Sequence, residues 1–92
     1  MRITFGLAAR DDLEHISAWI AKDSPRAALE MIARIEESVN RLATPALSNM
    51  GHPGYVHGTL ELVVRPYIIV YKVFKQRSEI VILAVVHGAR ER

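Results

Sequence analysis

The chain has 92 residues, of which 50% are apolar and 24% are charged, a mixture that fits one folded globular domain over residues 1–92 and excludes a disordered or fibrous chain. It contains no cysteine, which excludes a disulfide-stapled scaffold, thiolate catalysis and a cysteine-based zinc site. The net charge is only +2, but residues 51–92 hold six basic and three acidic side chains, so the positive charge lies in the C-terminal half.

No segment has the pattern of a membrane anchor or a secretory signal. The N-terminal residues reach Arg10-Asp11-Asp12 before any apolar run has formed. The longest uncharged apolar run, from Ile80 to Val86, has seven residues, whereas a membrane-spanning helix needs about 20. We therefore expect a cytoplasmic protein with no membrane role.

The N-terminal half is predicted to begin with a strand and a helix. Residues 2–5 contain strand-favouring side chains in alternation. Apolar residues then recur at helical spacing over roughly residues 8–22, with acidic side chains in the first turns, where a helix N-terminus favours negative charge. The residues that carry this pattern are Asp11, Asp12, Leu13, Glu14, Ile16, Trp19 and Ile20.

A second helix is predicted to start at Pro25. Ser24 suits the N-cap position, and proline suits the first helical position because no N–H is needed there. One apolar stripe then continues for about four turns before Pro45. Its members are Leu29, Ile32, Ile35, Val39 and Leu42. Two amphipathic helices joined by a short turn predict an antiparallel hairpin.

The C-terminal half is predicted to be a loop followed by a sheet. Residues 46–58 contain one proline and three glycines, Gly51, Gly54 and Gly58, without a sustained period, which indicates turns. Three segments rich in Val, Ile and Tyr follow, Leu60 to Arg65, Tyr67 to Phe74 and Glu79 to Val86, and short links between them predict antiparallel neighbours. The order β-α-α-β-β-β predicts an α+β fold in which the helical hairpin packs on an antiparallel sheet.

Three segments of this half have a recognisable order and spacing. They are Gly58-Thr59-Leu60-Glu61-Leu62, Pro66 to Val73, and Ile82 to Arg90, which ends in His87-Gly88-Ala89-Arg90. Together with Ala9 to Leu13 and Ser24 to Ala28, they resemble the ParE/RelE superfamily of toxins, and within it the ParE-like branch. The resemblance implies a toxin of a type II toxin–antitoxin system that arrests growth and is neutralised by an antitoxin, and DNA gyrase is the favoured target.

The target stays open between two classes of mechanism. RelE-like relatives cut messenger RNA on the ribosome, and they usually carry an arginine in the central strand where this chain has Ile68. Their lysines fall near Thr59 and Glu61. The ParE pattern commonly has arginines where this chain has His52, Tyr55 and Leu60. A gyrase-binding toxin, a ribosome-dependent endoribonuclease and a degenerate, non-toxic relative are the three alternatives.

The expected target-binding residues are Arg65, His87 and Arg90, because they lie in the basic half near strand ends. If the protein is a nuclease, His87 is the acid or base and Arg90 the phosphate clamp. Glu61, four residues before Arg65, either pairs with it or is structural.

Other polar and aromatic residues favour structural roles. Trp19, Tyr55, Tyr67 and Tyr71 are predicted to be core residues rather than base-stacking platforms. His52 and His57 lack further ligands at a metal-binding spacing, and the glycines form no phosphate-binding loop. We expect no metal and no cofactor.

The expected partner is an acidic, ParD-like antitoxin with an amphipathic segment, and the two chains are expected to form a hetero-oligomer. A small domain without disulfides is expected to leave an apolar surface exposed for a partner. The antitoxin-binding residues are predicted to be Ile16 and Ile20, in a groove between hairpin and sheet, with Arg65 and Arg92 facing its acidic side chains.

Overall fold

The computed structural model describes residues 1–88, and the predicted site residues Arg90 and Arg92 lie outside this range. Two helices pack on one face of a five-stranded sheet, which confirms the α+β fold. The elements in chain order are β1 (Arg2–Phe5), α1 (Leu7–Ala21), α2 (Pro25–Arg41), β2 (His52–Pro53), β3 (Leu60–Val64), β4 (Tyr67–Phe74) and β5 (Glu79–His87).

The sheet has the strand order β1-β5-β4-β3-β2. Strands β3, β4 and β5 form the predicted antiparallel meander. The sheet as a whole is mixed, because β1 pairs with β5 in parallel. A short connection forces antiparallel pairing, but β1 reaches β5 only after the rest of the chain has intervened, so its direction is not set by a turn.

The loop after α2 contains one more strand than predicted. Residues His52–Pro53 form a two-residue strand at the edge of the sheet, paired antiparallel with β3. Proline lacks an N–H donor, and an edge strand tolerates this because one side of it has no neighbour. Gly58 has φ of +85°, a conformation that favours glycine, as expected for a turn residue.

The core lies between the hairpin and one face of the sheet. Strand side chains alternate between faces, so Tyr67, Ile69 and Tyr71 of β4 point toward the helices. The other buried apolar residues of this core are Ala9, Ile16, Met31, Ile35, Val39, Leu42, Val64, Ile80, Ile82 and Val85. No helix of the described residues is long and apolar enough to cross a membrane.

The predicted N-cap of α2 is confirmed, whereas the acidic residues of α1 do not have the predicted role. The Ser24 hydroxyl accepts a hydrogen bond from the Ala27 N–H at 3.1 Å, and Pro25 is the first helical residue. In α1 no acidic residue lies in the first turn, so the prediction of charge favouring the helix N-terminus was wrong. Instead the Asp12 carboxylate accepts a hydrogen bond from the Val85 N–H at 2.9 Å, which ties α1 to β5.

Three residues predicted to be buried are exposed. Trp19, Leu29 and Tyr55 retain 68%, 74% and 72% of their accessible surface. Leu29 lies about 120° around the helix from the fully buried Ile35, since each residue advances about 100°. Trp19 lies beside, rather than on, the line through Ile16 and Ile20. A two-layer domain covers only one side of each helix, and the side chains of Trp19 and Leu29 lie outside the covered side.

Candidate functional site

One end of the sheet brings three cationic or titratable side chains together around the β3–β4 turn. We call this region the His87 end and define it by Arg34, Arg65 and His87. Arg65 lies in the turn directly after β3, and His87 is the last residue of β5 rather than a residue beyond it. The register places Tyr67, at the start of β4, opposite His87.

Arg34 is not among the site residues predicted from the sequence. Its guanidinium donates a hydrogen bond to the backbone carbonyl of Arg65 at 3.3 Å. The contact brings α2 to the β3–β4 turn and places two arginines in one region. No sequence spacing signals this, because the two residues are 31 positions apart and meet only through the packing of the helix on the sheet.

His87 packs against an aromatic ring of the core. The rings of His87 and Tyr67 meet edge to face with centroids 5.5 Å apart, and Tyr67 is buried. The next residue, Gly88, donates its N–H to the carbonyl of Pro66 at 2.9 Å, and the Arg65–Pro66 peptide bond is cis. These contacts fix the chain at the His87 end just before the predicted residue Arg90.

The sheet face that points away from the helices is apolar near the His87 end. Val63, Ile68 and Val86 are paired across β3, β4 and β5, and alternation places them on this outer face. Val63 is 50% exposed, whereas Ile68 is buried without belonging to the core cluster. The Val70–Ala84 pair continues the apolar surface. We call these five residues the outer patch.

The two positions that correspond to lysines in the ribonuclease pattern have structural contacts here. Thr59 is buried, and its hydroxyl donates to the Val56 carbonyl at 2.6 Å. Glu61 is buried too, and its carboxylate accepts a hydrogen bond from the Tyr55 N–H at 3.3 Å. Glu61 therefore helps to hold the loop of residues 54–59, in agreement with the structural alternative for this residue.

The hairpin presents a different apolar surface from the predicted one. Ile16 is only 9% exposed and belongs to the core, and Ile20 is half-buried against it. The apolar side chains that solvent reaches near the α1–α2 turn are Trp19 and Leu29, and the Lys22 ammonium lies 5.1 Å from the centre of the Trp19 ring. We call Trp19 and Leu29 the hairpin patch.

Titratable side chains do not cluster into a metal centre in the described part of the chain. Among residues 1–88, no group of three or more His, Asp or Glu side chains is placed to hold an ion. His52 lies in β2 and His57 in the loop before Gly58. The predicted absence of a metal site stays a prediction.

The chain is similar to known proteins over nearly its whole length. Residues 3–92 match the profile of a family described as ParE toxin of type II toxin-antitoxin system, parDE. A relative from Sinorhizobium fredii, named "Putative toxin Y4kP", is 39% identical over 92 residues, covering 98% of this chain and 91% of the relative.

Two solved structures share the fold. One is the chromosomal ParDE toxin–antitoxin system of P. aeruginosa, with a TM-score of 0.81, 27% identity and 95% of each chain covered. The other is the toxin–antitoxin complex RelBE2 of Mycobacterium tuberculosis, with a TM-score of 0.65 and 26% identity, covering 94% of this chain and 95% of that one.

Proposed function

The chain belongs to the ParE toxin family of type II toxin–antitoxin systems, and from that premise we propose that it arrests growth by binding and inhibiting DNA gyrase. The observation that carries the proposal is the character of the outer patch. An apolar, partly exposed sheet face with Ile68 at its centre is suited to burial against a protein.

The same observation argues against cleavage of RNA by this face. A nuclease site needs a base or acid and a cation held at mutual hydrogen-bonding distance around the scissile phosphate. Here the apolar Ile68 occupies the central-strand position at which the ribonucleases carry an arginine. The neighbouring polar residues Thr59 and Glu61 form hydrogen bonds with the backbone of the loop of residues 54–59.

A RelE-type endoribonuclease is the second candidate, and the His87 end is the observation that favours it. His87 there supplies an imidazole, the side chain most often used as a general acid or base, and Arg34 and Arg65 supply guanidinium groups suited to a phosphate. In the gyrase proposal, Arg34, Arg65 and His87 form the polar rim of the interface. The proposed target-binding residues are Arg65, His87 and Arg90.

A paired assay separates these candidates. Purified chain is added to gyrase in a supercoiling reaction, and in parallel to ribosomes translating a defined message that is read by primer extension. The gyrase proposal expects loss of supercoiling and intact messages. In that assay, Val63→Asp should abolish inhibition by placing a charge in the outer patch, whereas the same change at exposed Val56 should not.

Cleavage within the ribosomal A site, lost on His87→Ala, would establish the nuclease instead. The remaining alternative, a relative without toxicity, is tested by inducing the chain in a bacterium that lacks the antitoxin. Growth at the rate of an empty-vector control would refute both toxic mechanisms.

The proposed partner is an acidic antitoxin that neutralises the chain through an amphipathic segment. Support comes from the hairpin patch, because Trp19 and Leu29 remain mostly exposed and large aromatic side chains are enriched at protein interfaces. Trp19 and Leu29 serve as anchors beside the half-buried Ile20, while Arg65 and Arg92 are proposed to meet acidic side chains of the antitoxin. Ile16 contributes from beneath, as part of the core.

A further inference from the structure

The opposite end of the sheet carries a second basic surface. At the β4–β5 turn, Lys75 and Arg77 border an open depression of about 650 Å³. We call this region the Lys75 end. It does not include any of Arg34, Arg65 or His87, and its position at the far end of β4 and β5 separates it from the His87 end.

The depression has an apolar floor and a polar rim. Leu60, Val73 and Phe74 supply the apolar side chains, and Asn49 and Gln76 supply amides that can both donate and accept hydrogen bonds. The described residues that line the depression include no carboxylate; besides these five they are Gly58, Lys75 and Arg77. Its volume lies within the range of small-ligand sites, although the depression is open to solvent.

Cations flank an aromatic ring at the edge of the depression. The Arg77 guanidinium lies 4.2 Å and the Lys72 ammonium 5.3 Å from the centre of the Phe74 ring. Gly58 lies on the same rim, and a Cβ added there would be in ordinary contact with the end of Lys72, 3.8 Å from its Cε and 3.9 Å from its ammonium nitrogen. The chain therefore combines a ring face with positive charge at one place.

The net charge of the Lys75 end is strongly positive. Glu79 is the acidic residue paired there, and two arginines share it: Arg77 at 3.5 Å and Arg2 at 3.6 Å. With Lys72 and Lys75, the Lys75 end holds four cations and this one carboxylate. The excess of three positive charges favours a polyanionic ligand.

We propose that the Lys75 end binds single-stranded nucleic acid, with a base in the depression taking the place of the Arg77 guanidinium on the Phe74 ring, and phosphates on Lys72, Lys75 and Arg77. Base stacking on an aromatic ring combined with backbone contacts from lysine and arginine is the general mode of single-strand binding. The rim amides fit the polar edges of a base, a feature that an acidic peptide would not require.

The test uses the purified full chain and a fluorescein-labelled oligothymidylate of 12 nucleotides, followed by fluorescence anisotropy. Three phosphate contacts predict that affinity falls about 20-fold between 50 and 200 mM salt. Lys75→Ala should weaken binding. It should also reduce the slope of log affinity against log salt concentration by about 0.7, the amount expected for one lost phosphate contact. The matched control is Arg26→Ala, which removes one exposed cation from α2 and should leave both unchanged. Phe74→Leu should weaken binding at least fivefold while leaving the salt dependence intact.

Three results would overturn the proposal. The first is absence of binding at 50 mM salt. The second is an equal loss of affinity for Lys75→Ala and Arg26→Ala, which would mean that only the total charge matters. The third is displacement of the oligonucleotide by a polyglutamate peptide of equal charge at equal concentration, which would assign the surface to acidic proteins. Because gyrase is absent from this assay, its outcome is independent of the proposed target.

Discussion

The hydroxyl of Tyr71 accepts a hydrogen bond from the backbone N–H of Gly51 at 3.0 Å. The same hydroxyl donates to the carbonyl of Ser48 at 3.0 Å, and the side chain is fully buried. One phenol on β4 thus fastens the loop that follows α2 to the sheet. An added Cβ at Gly51 would lie 2.9 Å from this oxygen, so glycine permits the contact.

Tyr71→Phe should therefore lower the free energy of unfolding by about 2 to 3 kcal/mol, because two backbone groups lose their partner while the ring volume stays. Urea denaturation at pH 7 measures the change. A loss below about 0.5 kcal/mol would mean that the loop finds other partners, and that the phenol does not hold it.

Stability should also depend on pH through Tyr71. Burial raises the pKa of the Tyr71 phenol above its usual value of about 10, and this outweighs the opposing effect of the hydrogen bond from Gly51. The unfolded chain therefore releases this proton at lower pH than the folded chain. The contribution to stability is complete below about pH 10 and is lost as pH rises further, with a slope of at most about 1.4 kcal/mol per pH unit. Tyr71→Phe should lack this extra decline when both proteins are unfolded by urea between pH 8 and 11.

Ser24→Ala should cost about 1 kcal/mol, because the N–H of Ala27 loses its acceptor at the start of α2. Ser24→Asp keeps an acceptor at the same position and serves as the matched variant. If the two variants unfold at the same urea concentration, the cap does not contribute to stability.

Asp12→Ala should cost about 2 kcal/mol, because the Val85 N–H loses its acceptor in a partly buried setting. The neighbouring Asp11 is exposed, and Asp11→Ala removes the same charge without this hydrogen bond. Thermal unfolding of the two variants under one condition isolates the hydrogen bond from the charge, and equal effects would contradict its role.

Trp19→Ala should weaken binding of the antitoxin at least tenfold, since large aromatic side chains dominate protein interfaces. Leu29→Ala should have a smaller effect in the same direction. Val56→Ala is the control, because it removes exposed apolar surface from the loop and not from the hairpin patch. Titration calorimetry with the antitoxin gives the affinities. Loss of the complex on raising salt to about 1 M, with no effect of Trp19→Ala, would show that charge holds the pair.

Local signals in the sequence predicted most of the fold. Ser24 and Pro25 marked the start of α2 because capping depends on adjacent residues. Strand β4 was predicted with its observed bounds because seven of its eight residues are β-branched or aromatic. The parallel pairing of β1 with β5 was not predicted, since it depends on how the helical hairpin packs on the sheet and not on a local turn. Trp19 and Leu29 were assigned to the core by residue type, and packing geometry decided otherwise.

The candidate sites were harder to predict for the same reason. His87 and Arg65 were selected by charge and position, but Arg34 reaches them only through tertiary packing. The Lys75 end was overlooked, although Lys72, Lys75 and Arg77 lie close in sequence, because Phe74 was taken simply as a strand residue. Asp12 illustrates the converse: its charge suggested a helix effect, whereas the fold uses it to satisfy a backbone N–H of β5.

The pairing of Arg2 with Glu79 also determines when the sheet can be completed during synthesis of the chain. Strand β1 emerges first, but its only partner in the described sheet is β5, which emerges last, whereas α1 and α2 can pair as soon as both exist. At about 5 to 20 residues per second, the 46 residues from Arg41 to His87 take roughly 2 to 9 s. Throughout that interval the nascent chain has a hairpin without its sheet, so neither the outer patch nor the Lys75 end exists yet. Folding through such distant contacts is intrinsically slow, and it makes both surfaces the last parts of the described sheet to be assembled.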